Sequence, residues 1–272
     1  MQWSSEANTA IKKVPFFVRK KVRSKVEAYA AEKGKKSVGI EDVNAARKRF
    51  MDNMSSEVRG FSVDTCFGSG GCPNRAVESD GLIAAVESLL EKEDLLTFLR
   101  SQVKGEVKFH HEFRVTLADC PNACSQPQIK DIGIIGAAVP GVTDEPCSGC
   151  LACVTACHED AVTVADEDAG PEIDRDRCVD CGKCVTACPT GTLEARKKGY
   201  RVLLGGKLGR HPRLARELPG IYDEATVLEI VGKCLTHYKA RSKKGARFAE
   251  IVWAEGDELF DRLGKMFESR QL

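Results

Sequence analysis

The sequence predicts an α+β fold, and three observations carry that prediction. Helical periodicity fills the first fifty residues and returns near the C-terminus, while the middle mixes an amphipathic helix with short apolar runs of strand type. A cysteine-rich repeat of about 31 residues occupies 143–195. The overall formal charge of +1 conceals segregation: residues 1–50 hold 13 Lys+Arg against 5 Asp+Glu, whereas residues 143–195 hold 3 against 12. These features divide the chain into a small helical domain (1–50), a mixed domain (51–142 with 196–272) and an inserted module (143–195).

Taken in order, Ser4 or Ser5 caps a helix that begins at Glu6. Pro15 interrupts it, and FFVRKKVRSKVEAYAAEKG continues at helical spacing to Gly34. Residues 40–50 form a short third helix. Residues 60–74, rich in Gly and Cys, read as loop. Residues 82–102 read as one amphipathic helix, and residues 112–117 (EFRVTL) as a short strand. The apolar run 129–139, containing Gly133 and Gly136, reads as a buried strand that Pro140-Gly141 ends. After the module, YRVLLGG is a strand and KLGRHPRL a loop, and residues 223–239 and 247–267 are closing helices.

Composition narrows the class. At 42% hydrophobic and 30% charged residues the chain is neither disordered nor fibrous. Its longest apolar stretch, residues 132–142, is far short of the ~20 residues a membrane helix needs. The N-terminus lacks the apolar core and cleavage site of a secretory signal, so a soluble, cytoplasmic protein is expected. The basic N-terminal segment carries no nucleic-acid motif and reads as a solvated helix face or a docking face for an acidic partner. Thirteen cysteines in a cytoplasmic chain point to metal before disulfides. Twelve form three quartets; Cys234, beside Val231 and Leu235, reads as a buried free thiol.

Cys147, Cys150, Cys153 and Cys157 have C-x2-C-x2-C-x3-C spacing, repeated by Cys178, Cys181, Cys184 and Cys188. Three closely spaced thiolates wrap one cubane, while the fourth reaches across to the other cluster. One cluster then uses Cys147, Cys150, Cys153 and Cys188, and the other uses Cys178, Cys181, Cys184 and Cys157. Structural zinc is the alternative for such cysteines, but zinc sites rarely show two interleaved triple repeats. The segment resembles a bacterial two-[4Fe-4S] ferredoxin, with Pro189 after the fourth cysteine of the second repeat. His158 stands at the equivalent place in the first and reads as a surface residue.

The third quartet is Cys66 and Cys72 (C-x5-C in DTCFGSGGCPNR) with Cys120 and Cys124 (C-x3-C in LADCPNACSQP). Two such loops brought together could hold a third cubane, the glycines letting one backbone fold around the sulfides and Pro121-Asn122 shaping a tight turn. Together with IKDIGIIG and GYRVLLGGKLGRHPRLA, the pair resembles the sulfite/nitrite reductase family over residues 60–268, with an inserted module as in dissimilatory-type members. The resemblance implies half of a sulfite-reductase-like α/β fold, with an inserted ferredoxin-like 2[4Fe-4S] module and a small N-terminal helical domain. It implies a [4Fe-4S] cluster on Cys66, Cys72, Cys120 and Cys124, and sirohaem whose iron Cys124 bridges. Residues 2–49 (WSSEA, then IKKVPFFVRKKVRSKVEAYAAEKG) resemble the small helical domain that ends the B chain of dark-operative protochlorophyllide reductase.

Sulfite and the carboxylates of sirohaem both need cations. Arg75, Lys207, Arg210 and Arg213 are the candidates for the substrate, and Lys130 and His211 for the cofactor. The half that supplies several such residues in full reductases is missing from this sequence. Three functions are therefore expected in competition. The first is a small sirohaem-dependent sulfite or nitrite reductase, fed by ferredoxin or a similar low-potential donor and working as a homo-oligomer or within a larger redox complex. The second is an electron-transfer subunit with three cubanes and no sirohaem. The third is a cofactor scaffold without turnover. His110, His111 and the run KARSKKGAR read as ordinary surface or core features. No P-loop, Rossmann fingerprint or Ser/His/Asp constellation is visible.

Overall fold

The computed structural model describes residues 1–14, 16–165 and 170–272, and it divides into two units, Met1–Val58 and Arg59–Leu272. In the first, β1 (Gln2–Trp3) and β2 (Ser37–Val38) pair in parallel beside α1 (Ser5–Lys12), α2 (Phe16–Glu32) and α3 (Ile40–Ser56). Ser4 caps α1, its hydroxyl accepting from the Ala7 amide at 3.2 Å. Ala7, Val26, Ala30 and Val38 form a small core. Trp3 donates to Glu27 at 2.6 Å while the Arg23 guanidinium lies over its ring. The third helix runs six residues past its expected end to Ser56. Pro15, expected to break the first helix, lies outside the described residues.

The second unit is built on one five-stranded sheet. Its elements in order are β3 (Phe61–Thr65), α4 (Asp80–Lys92), α5 (Leu95–Gln102), β4 (Phe113–Ala118) and β5 (Ile132–Val142), then the module with α6 (Ala152–Ala156), β6 (Val162–Val164), β7 (Pro171–Ile173) and α7 (Lys183–Ala187). The chain returns through β8 (Leu193–Leu204) and β9 (Arg216–Glu217) and closes with α8 (Glu224–Arg241), α9 (Phe248–Ala254) and α10 (Glu258–Phe267). The sheet order is β3-β4-β5-β8-β9; β3, β4 and β5 are parallel, and β8 pairs antiparallel with both β5 and β9. Leu82, Val86 and Leu90 of α4, with Ile230, Val231 and Leu235 of α8, pack on Val115, Leu117, Ile134 and Val202 in one core. Cys234 is fully buried in it, and burial pushes its thiol up to about 12.

Several expectations change. Residues 60–74 are not all loop: residues 61–65 pair along β4, because Phe61 and Val63 supply apolar positions that the flanking Gly and Cys obscure. The helix expected over 82–102 breaks at Asp94, which adopts a left-handed conformation (φ 42°) and caps α5 by accepting from the Thr97 amide. The strand expected to stop at Pro140 continues to Val142, because a register shift between Val139 and Pro140 absorbs the proline. Its partner β8 begins at Leu193 rather than at Tyr200, extending into the charged stretch of residues 194–198. The last helix, expected over 247–267, is two, separated at Gly256 (φ 65°).

The parallel pairing of β3 and β4 decides where the chemistry lies. Thr65 faces Leu117, so the loops that follow, at Cys66 and at Cys120, leave the same edge of the sheet. β5 runs past the end of β4 and carries Gly136 under the Cys120 loop. A Cβ at Gly136 would overlap Val77 Cγ2 and lie 2.6 Å from the Asp119 carbonyl oxygen. Overpacking of this kind costs about 1–3 kcal/mol. Gly136→Ala should therefore lower the thermal unfolding midpoint by several degrees, and an unchanged midpoint would contradict the close approach.

Candidate metal centres

The twelve cysteines expected to form three quartets lie in the loops at Cys66 and Cys120 and in the module, all as free thiols. In the two loops, Cys120 is near enough to Cys66, Cys124 and Cys72 to feel their charge: burial pushes its thiol up, and those three sulfurs add to the push. Cys66 Sγ accepts from the Gly68 amide at 3.4 Å and the Asp119 amide at 3.3 Å, and the Asn122 side chain donates to Cys124 Sγ at 3.0 Å. Cys124 is exposed, whereas the other three are half-buried. The turn around it is held by Ala123 and Gln126, both left-handed (φ 51° and 59°), a conformation that non-glycine residues adopt only when their surroundings enforce it.

The repeats fold alike. Gly149 and Leu151 flank Cys150 with φ of 65° and 56°, and Asp180 and Gly182 flank Cys181 with φ of 57° and 70°. Each pair leads into a short helix, α6 or α7, carrying the third cysteine of its repeat, Cys153 or Cys184. Burial raises Cys153, with Cys188 and Cys147 adding to the effect. Burial likewise pushes Cys184 up to about 11, with Cys178, Cys181 and Cys157 adding to the effect. Cys188 is thus near enough to Cys153, and Cys157 near enough to Cys184, to add to these shifts. Burial works against the Cys188 thiolate, but donors around it, from the Leu193 backbone, the Thr190 side chain and the Thr190 and Gly191 backbone, bring it down to about 7. Cys157 Sγ accepts from the Ala161 amide at 3.3 Å.

All-thiol sets with amide donors aimed at sulfur fit iron–sulfur clusters, whose potentials such hydrogen bonds tune. Thiols raised by burial give up their protons when metal binds. Among the described residues no three His, Cys, Asp or Glu groups close on a single metal ion; a cubane holds its thiolates farther apart than one ion does.

The candidate cations divide. Arg75 Nε lies 2.6 Å from Asp119 Oδ2, and Arg75 Nη2 donates to Asp80 at 2.9 Å. Lys130 pairs with Asp64 at 2.6 Å and Lys207 with Glu250 at 3.0 Å. Arg213 stacks on Trp253, 4.9 Å from the ring centroid. Paired backbone hydrogen bonds of 2.9 Å between Lys207 and Arg213 make residues 207–213 a hairpin, with Arg210 and His211 exposed at its tip and making no ion pair or hydrogen bond among the described residues. The hairpin's base rests on the turn after Cys124, since the Ala215 amide donates to the Gln128 carbonyl at 2.7 Å. Sequence reasoning misses Asp64 and Asp119, although each stands within two residues of a cysteine. Small residues on β5 serve the module too: Ala138 accommodates Gly182, and its amide donates to the Asp180 carbonyl at 2.7 Å.

The family model described as nitrite and sulphite reductase 4Fe-4S domain matches residues 58–266, and that described as proto-chlorophyllide reductase 57 kD subunit matches residues 3–47. Coenzyme F420-dependent sulfite reductase of Methanocaldococcus jannaschii is 34% identical over 145 residues, which are 53% of this chain and 21% of that protein. The B subunit of light-independent protochlorophyllide reductase from Chlorobium luteolum is 50% identical over 48 residues, 18% of this chain and 9% of that protein. The chain thus spans about a fifth of the first relative and less than a tenth of the second. Dissimilatory sulfite reductase I shares the fold, with a TM-score of 0.50 at 15% identity over 75% of this chain and 51% of that one.

The crossed arrangement predicts which losses add. Cys157→Ala and Cys178→Ala strike one quartet, so the double variant should lose no more than about four irons, measured by iron analysis of anaerobically purified protein. Cys157→Ala with Cys147→Ala strikes two quartets and should lose about eight. The reverse pattern would contradict the crossing.

Proposed function

Because the chain belongs to the nitrite and sulphite reductase 4Fe-4S domain family, we propose that this iron–sulfur protein is a small sirohaem-dependent sulfite or nitrite reductase. Each quartet would hold one [4Fe-4S] cluster, three in all, and Cys124 would also ligate sirohaem iron. Bound there, these groups supply stepwise electron storage and the metal at which a sulfur or nitrogen oxyanion is reduced.

The observation that carries this reading is the double contact of β5. Gly136 lies under Asp119, which precedes Cys120, and Ala138 is bridged to Cys181. Two residues of strand span about 7 Å. We assign the Cys178, Cys181, Cys184 and Cys157 quartet to the step next to the third quartet. The Cys147, Cys150, Cys153 and Cys188 quartet then takes the side of a low-potential donor such as a ferredoxin. Arg210 and His211 offer an unpaired charge and an imidazole to an oxyanion. Phe67, Leu208 and Leu214 are exposed at 84%, 65% and 66%, the kind of apolar surface that a tetrapyrrole ring or a partner chain covers. No helix among the described residues is long and apolar enough to cross a membrane, and the reading places the protein in the cytoplasm, as a homo-oligomer or within a larger redox complex.

A second reading is favoured by the pairing of Arg75, Lys130 and Lys207 with carboxylates, which leaves few cations for an oxyanion. In it the chain is an electron-transfer subunit with three clusters and no sirohaem. The anaerobically purified protein, reconstituted with sirohaem and assayed for sulfite reduction with reduced methyl viologen, separates the two. The first reading expects a Soret band, a red band and turnover. Three intact clusters without tetrapyrrole binding would overturn it in favour of the second.

A further inference from the structure

We infer that Arg75 and Lys130 are positioning residues of the third quartet, forming with Asp119 and Asp64 a clamp of two reciprocal ion pairs. The inference rests on the reading of that quartet as a cluster site and replaces their expected roles as anion ligands. Asp64 enters the first cysteine loop two residues before Cys66, and Arg75 leaves it three residues after Cys72. Asp119 enters the second loop immediately before Cys120, and Lys130 leaves it six residues after Cys124. Each loop is entered by an acid and left by a base. Because β3 and β4 are parallel, the entrance of each loop pairs with the exit of the other, both times at 2.6 Å.

Burial and charge both fit a clamp better than an anion site. The side chains of Arg75 and Lys130 are 19% and 15% exposed. Arg75 faces two carboxylates, Asp119 and Asp80, so its positive charge is already more than balanced. An incoming sulfite would have to displace a carboxylate that is itself 5% exposed. The Asp119 backbone ties the same two loops together. Its carbonyl accepts from the Ala76 and Val77 amides at 2.9 and 3.2 Å, and its amide reaches Cys66 Sγ. Thus one residue of the second loop holds both a ligand and the exit of the first.

The more exposed pair allows a charge-swap test, since the Asp64 side chain is 50% exposed. Asp64→Lys, Lys130→Asp and the double variant are purified anaerobically as full chains. Iron and sulfide per chain are measured, together with the midpoint potential of each cluster by electron paramagnetic resonance titration. A clamp predicts that each single variant falls from about twelve irons to about eight, or retains a third cluster of shifted potential, with the other two potentials unchanged. The double variant should recover both values. Arg75→Gln should behave as the single variants do. Single variants with full iron and three unchanged potentials, but without the Soret band that the wild-type chain gains from added sirohaem, would overturn the clamp and return Lys130 to the cofactor. A wild-type chain with only about eight irons would instead defeat the cluster reading. The free thiols would then still test the clamp, because bifunctional thiol crosslinking of Cys66 to Cys120 should fall in each single variant and recover in the double; equal yields throughout would overturn it.

Discussion

Asp119 occupies the junction where two loops, separated in sequence by the 47 residues between Cys72 and Cys120, meet at one edge of a sheet. A carboxylate buried to this degree is costly to desolvate, and its surroundings answer the cost with the Arg75 guanidinium on one oxygen and the Ser79 hydroxyl on the other. Its amide and carbonyl are also engaged across the junction. Gly68 is required opposite it, since a Cβ there would overlap the Asp119 carboxylate. The parallel pairing of β3 and β4 brings the loops near, and this residue sets how they touch.

The rest of the larger unit follows from that meeting. α4 and α5 make the crossover that parallel strands need, and α8 covers the same core. β5 must pass beneath the second loop and then meet the module, which its Gly-Ala-Ala run at 136–138 permits. The module is inserted between two paired strands, since Val142 at its entrance faces Leu193 at its exit. That short, paired base explains how about 50 residues of cysteine-rich chain can be added without disturbing the sheet. Left-handed residues such as Leu151, Asp180 and Ala123 carry local strain at the cysteine turns. On the proposed reading, the clusters over-determine those turns.

Much of this is legible from spacing alone. The like turns at Cys150 and Cys181 follow from the C-x2-C-x2-C-x3-C repeats because such spacing acts over a few residues, and EFRVTL announces β4 by alternation. β3 is hidden because its five residues adjoin a run of glycines and cysteines that suppress its pattern. Pro140 misleads because a bulge, invisible locally, lets a strand pass a proline. The cations are found by type, but their partners are not. Asp64 is 66 residues from Lys130, and no local rule links the two until the strands are known to be parallel. The same topology strips Arg75 of the charge surplus that its position beside Cys72 suggests.

Everything else depends on the convergence of Cys66, Cys72, Cys120 and Cys124 on one cluster beside the two of the module. The amounts of iron and acid-labile sulfide per chain, in wild-type protein purified without air, test that convergence without intermediaries. Three clusters require about twelve sulfides per chain, with about twelve irons and one more wherever sirohaem is bound. About eight of each, all assigned to the 147–188 cysteines, would contradict the convergence.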